Sequence, residues 1–434
     1  MRVPEAKQAG EARARWAWAE PCVWTERMLT ALEAGVKGGV WFSLIDKVSA
    51  PRVLRWAFAE VQKNGGAAGV DHQTIAMYEQ RLEQHTAYLA RTLAEGSYQP
   101  AAVRRVMIPK PGSKEKRPLG IPTVRDRVVQ KALLGTLEPI FEREFAEQSY
   151  GFRPGRGCKA ALRRVDQLLG AGYTWVVDAD LQKYFDTILH EVLMRLVQER
   201  IADGRVLKLI ERYLRQGVLE NMREWQPETG TPQGAVISPL LSNIYLNPLD
   251  HLLAASGIEM VRYADDFVLL CRSEHEAQRA LVLVQQWTAS VGLTLHPEKT
   301  RIVDATQTGG FDFLGYHFER GRKWPRRKSL RKFKDTIRAQ TKRHNGQSLQ
   351  VIIANVNRSA RGWFGYFKHS NKWTFEPLDQ WLRMRLRSIL RRRQKRRGRG
   401  RGRDHQEWPN RFFAERGLFS LVTAYNTARQ SLTG

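Results

Sequence analysis

Tyr263-Ala264-Asp265-Asp266 sits between two apolar runs, within Gly257-Ile-Glu-Met-Val-Arg-Tyr-Ala-Asp-Asp-Phe-Val-Leu-Leu-Cys271. The pattern predicts strand, tight turn, strand, with Ala264 and Asp265 in the turn. Adjacent carboxylates at a hairpin tip work against folding, because like charges repel and Asp is a weak strand former. A divalent cation at the tip removes that conflict. Hard oxygen ligands suit Mg²⁺, which takes one or two carboxylates and completes its shell with water and phosphate oxygens. Asp is also frequent in turns, so the tetrapeptide by itself fits a solvated turn equally well. The rest of the chain decides between the two.

A second acidic strand precedes it. Tyr173-Thr-Trp-Val-Val-Asp-Ala-Asp180 reads as a buried strand ending in acids, and the two-residue period puts Asp178 and Asp180 on one face. Apolar spacing predicts helices over Val53–Gln62, Met77–Leu93, Arg125–Phe145, Cys158–Leu169, Val206–Gln216 and Glu274–Val291. An apolar helix is expected from about Pro239 to Leu253. Strands are expected at Val103–Pro109, Pro118–Pro122, Thr300–Val303 and Phe311–Phe318. Strands and helices in this order, with acids at strand ends, predict an α+β fold carrying an antiparallel sheet of the polymerase palm kind.

Charge locates the partner. The chain has 434 residues and a formal net charge of +27, but the excess is not spread evenly. Residues 320–403 hold 28 Lys and Arg against 3 Asp and Glu, whereas residues 1–319 hold 40 against 38. A block so basic implies a polyanion, either nucleic acid or an acidic membrane surface. Within it, Val351–Phe367 carries an apolar stripe that assigns Trp363 and Phe367 to a core. Arg383 and Arg387 interleave with apolar residues on the next helix. Arg391, Arg392 and Arg393 open an Arg-, Lys- and Gly-rich run, Arg391–Arg403, expected to be flexible until it meets phosphate. Upstream, the Gly-rich loop Ser149–Gly157 offers Arg153 and Arg156 to a phosphate backbone. The basic turn Lys110–Arg117 offers further cations. No apolar run reaches the length of a membrane span. Three scattered cysteines (Cys22, Cys158, Cys271) without a C-x-x-C pair fit a reducing, cytoplasmic setting.

Taken in order, these motifs resemble the group II intron-encoded reverse transcriptases, or maturases, from about residue 50 onward. The stretch from Arg117 (Arg-Pro-Leu-Gly-Ile-Pro-Thr-Val-Arg-Asp-Arg) is similar to the first fingers motif, Ser149–Gly157 to the second and Val177–Ile188 to the third. Gly230-Thr-Pro-Gln-Gly-Ala-Val-Ile-Ser-Pro239 resembles the fourth, Tyr263–Asp266 the fifth, Gly292–Lys299 the sixth and Phe313-Leu-Gly315 the seventh. Arg361-Gly-Trp-Phe-Gly-Tyr-Phe367 and the Arg-rich helix after it resemble the maturase thumb, domain X. Ala235 and His72 stand where Gly is usual in the family. Residues 404–434 contain no Cys and one His, so a bacterial-type member without the HNH endonuclease module is expected.

The resemblance implies right-hand fingers and palm over residues 51–319, preceded by an extension at 1–50. An all-α thumb at 320–395 and a basic tail at 396–434 follow. It implies RNA-directed DNA synthesis through two Mg²⁺ ions, with Mn²⁺ as a possible substitute, held by Asp180, Asp265 and Asp266. Family spacing favours Asp180 over Asp178, because an aromatic residue, Phe185, then follows five positions later. There it excludes a 2′-hydroxyl and selects dNTPs. Lys110, Arg117 and Gln233 are implied at the nucleotide, and Lys299 as proton donor to pyrophosphate. Implied partners are intron RNA, the RNA template-primer and target DNA, with no membrane. Competing readings are a splicing maturase with little polymerase activity and a reverse transcriptase co-opted for defence.

Overall fold

The computed structural model describes residues 11–433 apart from 110–115, 221–222, 226–227, 232–233, 345, 399 and 401. The fold is α+β, in two compact units. The first comprises Met1–Val165 and Val177–Ile302, the second Asp166–Val176 and Val303–Gly434.

In the first unit, α1 (Pro51–Asn64) begins on a proline, where no helical N–H is lost, and stops at Gly65, φ +67°. Val53, Leu54, Ala57, Phe58 and Val61 form its buried stripe. The periodicity over Met77–Leu93 suggests one helix, but there are two, Ile75–Glu79 and α2 (Leu82–Glu95). Arg81 leaves helical geometry at φ −126°, ψ 31° and divides them. His72, in a family glycine position, adopts φ +55°. Strands β1 (Val103–Pro109) and β2 (Lys116–Ile121) pair antiparallel from Arg104↔Ile121 to Pro109↔Lys116. Next, α3 (Val124–Glu142) is buried on nearly every side and is N-capped by Thr123.

Helix α4 (Cys158–Gly170) and strand β3 (Trp175–Asp180) run from one unit into the other. The one-turn α5 (Tyr184–Thr187), α6 (Gly204–Leu214) and the short strands β4 (Val218–Glu220) and β5 (Arg223–Trp225) follow. The apolar helix α7 (Ser238–Ala255) leads into the hairpin β6 (Glu259–Tyr263) and β7 (Asp266–Cys271). Then come α8 (Glu274–Ser290), capped by Ser273, and β8 (Arg301–Asp304). The strands make two four-stranded sheets, β2-β1-β4-β5 and β6-β7-β3-β8. The second puts the two acidic strands, β3 and β7, side by side. All of β7 beyond Asp266 is buried.

Residues within 11–50 bond to the helices of the first unit. Trp24 is buried and donates its indole N–H to the Gly135 carbonyl of α3 at 3.0 Å. The amides of Leu44 and Ile45 donate to Asp203, whose other oxygen caps α6.

The second unit begins with β9 (Phe311–Phe313), β10 (Tyr316–Glu319) and β11 (Arg322–Pro325), an antiparallel sheet of order β11-β10-β9. The single strand expected over Phe311–Phe318 is thus two, because Leu314 (φ +45°) and Gly315 (φ +86°) turn the chain. Helices α9 (Arg327–Gln340), α10 (Leu349–Phe367), α11 (Phe375–Arg393) and α12 (Leu421–Thr433) complete it. Their core joins Phe333, Ile353, Phe364, Leu382 and Leu386 to Trp408, Phe413 and Leu421. Each such burial contributes about 1.5–3 kcal/mol.

Residues 303–319 cluster with the second unit. Among the described residues after 403, Trp408, Phe413 and Leu421 join the core of that unit. The run Arg391–Arg403 is anchored as well. Buried Asp404 accepts from Arg391 and Arg396, and Gly400 N donates to Ser388 Oγ.

Candidate active site

The β6–β7 hairpin closes at the pair Tyr263↔Asp266, leaving Ala264 and Asp265 as a two-residue loop. Ala264 has φ +60° and is buried. That backbone region disfavours a Cβ, so tertiary contacts must hold it. Asp265 is half-buried and Asp266 exposed. Burial pushes the Asp265 carboxyl above the usual carboxylate range. Its own backbone N–H opposes that shift, the charge of Asp180 adds to it, and Arg262 opposes it. Asp180, at the end of β3, is thus an acidic neighbour that Asp265 senses.

Asp180 is itself clamped to the segment before β8. Its carbonyl accepts from His296 N at 2.7 Å, and Lys299 Nζ donates to its Oδ2 at 2.7 Å. Asp178, on the same face of β3, sits 3.4 Å from Arg301 Nε. Among the described residues no group of three His, Cys, Asp or Glu side chains stands close enough to hold a metal ion.

Phe185 lies on α5, half-buried. Lys183 turns the chain there at φ +49°. The Phe185 carbonyl accepts from Thr231 N at 2.7 Å, and a Cβ on Gly230 (φ +90°) would fall 2.7 Å from that same oxygen. The third and fourth motifs are therefore in backbone contact, and Gly230 is required for it. Tyr184 anchors the turn from beneath, buried, with its hydroxyl on the Ser242 carbonyl of α7.

The second motif packs directly on the hairpin. A Cβ on Gly151 would lie 2.3 Å from Ala264 N. Phe152 follows with φ +56° and its ring exposed, 6.1 Å from the ring of Tyr263. Sequence reasoning missed Phe152, since nothing marks a lone aromatic in a Gly-rich loop as strained and exposed. Arg153 corrects an expectation. It is buried, forked on Glu142, and donates to the carbonyls of Ala146 and Ser149, so its guanidinium holds the loop instead of a phosphate. Arg156 donates to the Glu147 carbonyl from the loop surface.

Lys110 and Gln233 lie outside the described residues. Arg117 is exposed on β2 opposite Ile108. In the second unit the basic residues divide. Arg387 is buried, donates to Trp408 O and Asn410 Oδ1, and stacks on Phe413, so it too is a core residue, not an RNA contact. Arg391 is tied to Asp404. Arg392 and Arg393 are exposed, and Arg383 is half-buried. Trp363 stacks on Phe333 at 4.6 Å and Phe367 is buried, both in the core as expected. Among the described residues no helix is long and apolar enough to cross a membrane.

Comparison with known proteins places this geometry. Residues 108–318 match the family model for reverse transcriptase (RNA-dependent DNA polymerase), and residues 330–408 match that for the group II intron maturase-specific domain. Protein YkfC of Escherichia coli is 35% identical over 336 residues, covering 68% of this chain and 87% of YkfC. The group II intron-encoded protein LtrA of Lactococcus lactis is 38% identical over 203 residues, 46% of this chain and only 33% of LtrA. A putative COX1/OXI3 intron 1 protein of Saccharomyces cerevisiae is 27% identical over 358 residues, 66% of this chain and 42% of that protein. Matched to YkfC over 68% of its own length and 87% of that protein, and carrying both domain signatures, the chain belongs to the reverse transcriptase family, in the branch that bears a group II intron maturase-specific domain.

Proposed function

We propose that the chain copies RNA into DNA at the carboxylates of β3 and the β6–β7 hairpin, and that its second unit binds group II intron RNA and assists splicing and mobility. One observation carries the reading: the acidic strands β3 and β7 are neighbours in one sheet, which brings Asp180 toward half-buried Asp265, and burial and that second negative charge both oppose Asp265 ionisation. A cation relieves both. The donors are hard oxygens, and the two carboxylates of Asp180 and Asp265 are the number Mg²⁺ takes from protein, so this pair fits; Asp266, the next residue in the chain, would complete the set. Bound there, two Mg²⁺ ions would supply Lewis-acid activation of a primer 3′-hydroxyl and charge neutralisation on the nucleotide phosphates.

The chain's own groups do the rest. Phe185, fixed through its carbonyl, presents its ring to the sugar and rejects a 2′-hydroxyl. Lys299, already beside Asp180, is placed to hand a proton to the leaving pyrophosphate. Arg117, with Lys110 and Gln233, would contact the triphosphate. Arg383, Arg392 and Arg393 would carry RNA phosphates and target DNA.

Primer extension on an RNA template in Mg²⁺ tests the reading. DNA product is expected with dNTPs and little with rNTPs, and Phe185→Ala is expected to admit rNTPs. Absence of product from protein that still binds RNA tightly would leave a splicing factor in its place. Unchanged sugar selectivity in Phe185→Ala would remove the gate.

A further inference from the structure

The residue two before the first hairpin carboxylate's neighbour Ala264 is a fully buried arginine. Arg262 is 0% exposed, and so are Asp250 and Asn243 on α7. Seven residues separate those two, two helical turns, so both point from one face of α7. Arg262 Nε donates to Asp250 Oδ1 at 2.7 Å, and Nη2 donates to Oδ2. Its Nη1 is shared between Asn243 Oδ1 at 3.0 Å and the Ala264 carbonyl at 2.9 Å.

The contacts close into a ring. Asn243 Nδ2 donates to the Gly151 carbonyl at 2.8 Å. Gly151 presses on the backbone of Tyr263 and Ala264, too close for a Cβ. Two backbone bonds, Tyr150 N to Arg262 O and Arg262 N to Gln148 O, stitch the same loop to β6. A buried ion pair is a poor source of net stability, because desolvation offsets its attraction. This one does something else. Arg262 Nη1 reaches past the pair to the carbonyl of Ala264, whose φ of +60° lies in the left-handed region.

We infer that Arg262, oriented by Asp250 and Asn243, is a positioning residue for the carboxylate turn. It fixes the Ala264 carbonyl and backbone, and so sets where Asp265 stands relative to Asp180. The inference rests on the reading that these carboxylates hold metal. Partners one shell behind metal ligands typically change metal affinity or activity by roughly tenfold to a hundredfold when removed.

Arg262→Lys tests it. Lysine keeps a buried positive charge for Asp250, but a single ammonium cannot also fork to Asn243 and Ala264. Gly151→Ala is the second variant, reaching the same turn by adding a methyl group against Ala264 and altering no charge. Asp203→Asn is the control for stability loss alone, since an amide has one acceptor oxygen and leaves either the Leu44 and Ile45 N–H groups or the first turn of α6 without a partner. Amide hydrogen exchange is followed on peptides covering 262–267 and on α8, and the Mg²⁺ concentration for half-maximal primer extension is measured alongside.

Both test variants should speed exchange of the hairpin more than of α8 and raise the half-maximal Mg²⁺ by roughly tenfold or more. Asp203→Asn should do neither. Wild-type hairpin exchange in both test variants, or equal acceleration in the control, would overturn the inference. A wild-type protein that makes no DNA would strike the polymerase reading instead, and hydrogen exchange would still decide the role of Arg262.

Discussion

Lys299 Nζ lies 2.7 Å from Asp180 Oδ2, so an ammonium occupies an oxygen that the proposed metal also needs. Both side chains are about half exposed, at 59% and 46%. A pair so exposed contributes only about 0.2–1 kcal/mol. Replacing Lys299 with Met should therefore tighten Mn²⁺ binding to the nucleotide-free protein by about two- to fivefold. Electron paramagnetic resonance of free Mn²⁺ reads this. The same variant should slow nucleotide addition, because the proton donor is gone. Weaker Mn²⁺ binding would show that the lysine supports the site instead of competing for it.

Without a cation, burial and the neighbouring charge of Asp180 disfavour an ionised Asp265. Its folded-state pKa is raised, chiefly by burial. A carboxyl so shifted favours folding below its unfolded pKa, and that contribution is lost as pH rises through the folded value. At neutral pH the ionised group is therefore a net cost. Asp265→Asn should abolish synthesis and yet raise the melting temperature in chelator by about 2 °C. Added Mg²⁺ should raise the melting temperature of the wild type but not of the variant. A lower melting temperature in chelator would assign Asp265 a structural role.

Glu138 makes a second pH-dependent weak point, remote from the chemistry. Burial on α3 pushes its pKa up to about 7, with Lys131 opposing and Glu142 assisting. Its contribution is present in full below the unfolded value near 4.5 and is lost as pH rises through about 7. Glu138→Gln should stabilise the protein at pH 8, with the gain fading toward pH 5. Urea titrations at the two pH values measure it, and a gain that grows on acidification would contradict the assignment.

The basic surface and the basic core should separate by experiment. Arg392→Gln with Arg393→Gln should weaken RNA binding, flatten its salt dependence by about two units in the log–log slope and leave the melting temperature unchanged. Arg387→Gln should instead lower the melting temperature, because Trp408 O and Asn410 lose a buried partner. Equal salt slopes for the double variant and the wild type would move the RNA contact elsewhere.

Sequence reasoning reached the acidic hairpin because its physics is local. Two apolar runs and two acids specify strand, turn and strand whatever surrounds them, and Ala264 and Asp265 do form the loop. The helical stripes of α1, α3 and α10 were legible for the same reason. Arg153 and Arg387 were not, since burial is a property of what packs around a residue. An arginine forked on Glu142 and one presented to phosphate look alike in a Gly-rich basic loop. The unit boundary at 302 was hidden too. Residues 166–176 return to the second unit through a contact far away in the chain. Leu314–Gly315 turns the chain where the alternating pattern of Phe311–Phe318 suggested one strand, through left-handed φ values at both residues.

The central claim is that Asp180, not its strand neighbour Asp178, forms the acidic pair with Asp265. Single-nucleotide extension of a DNA primer on an RNA template, run for Asp180→Asn and Asp178→Asn side by side with RNA affinity as control, tests it most directly. Asp180→Asn should lose synthesis while binding RNA normally, and Asp178→Asn, which removes the charge beside Arg301, should keep most of it. Loss of synthesis in Asp178→Asn with activity retained in Asp180→Asn would contradict it.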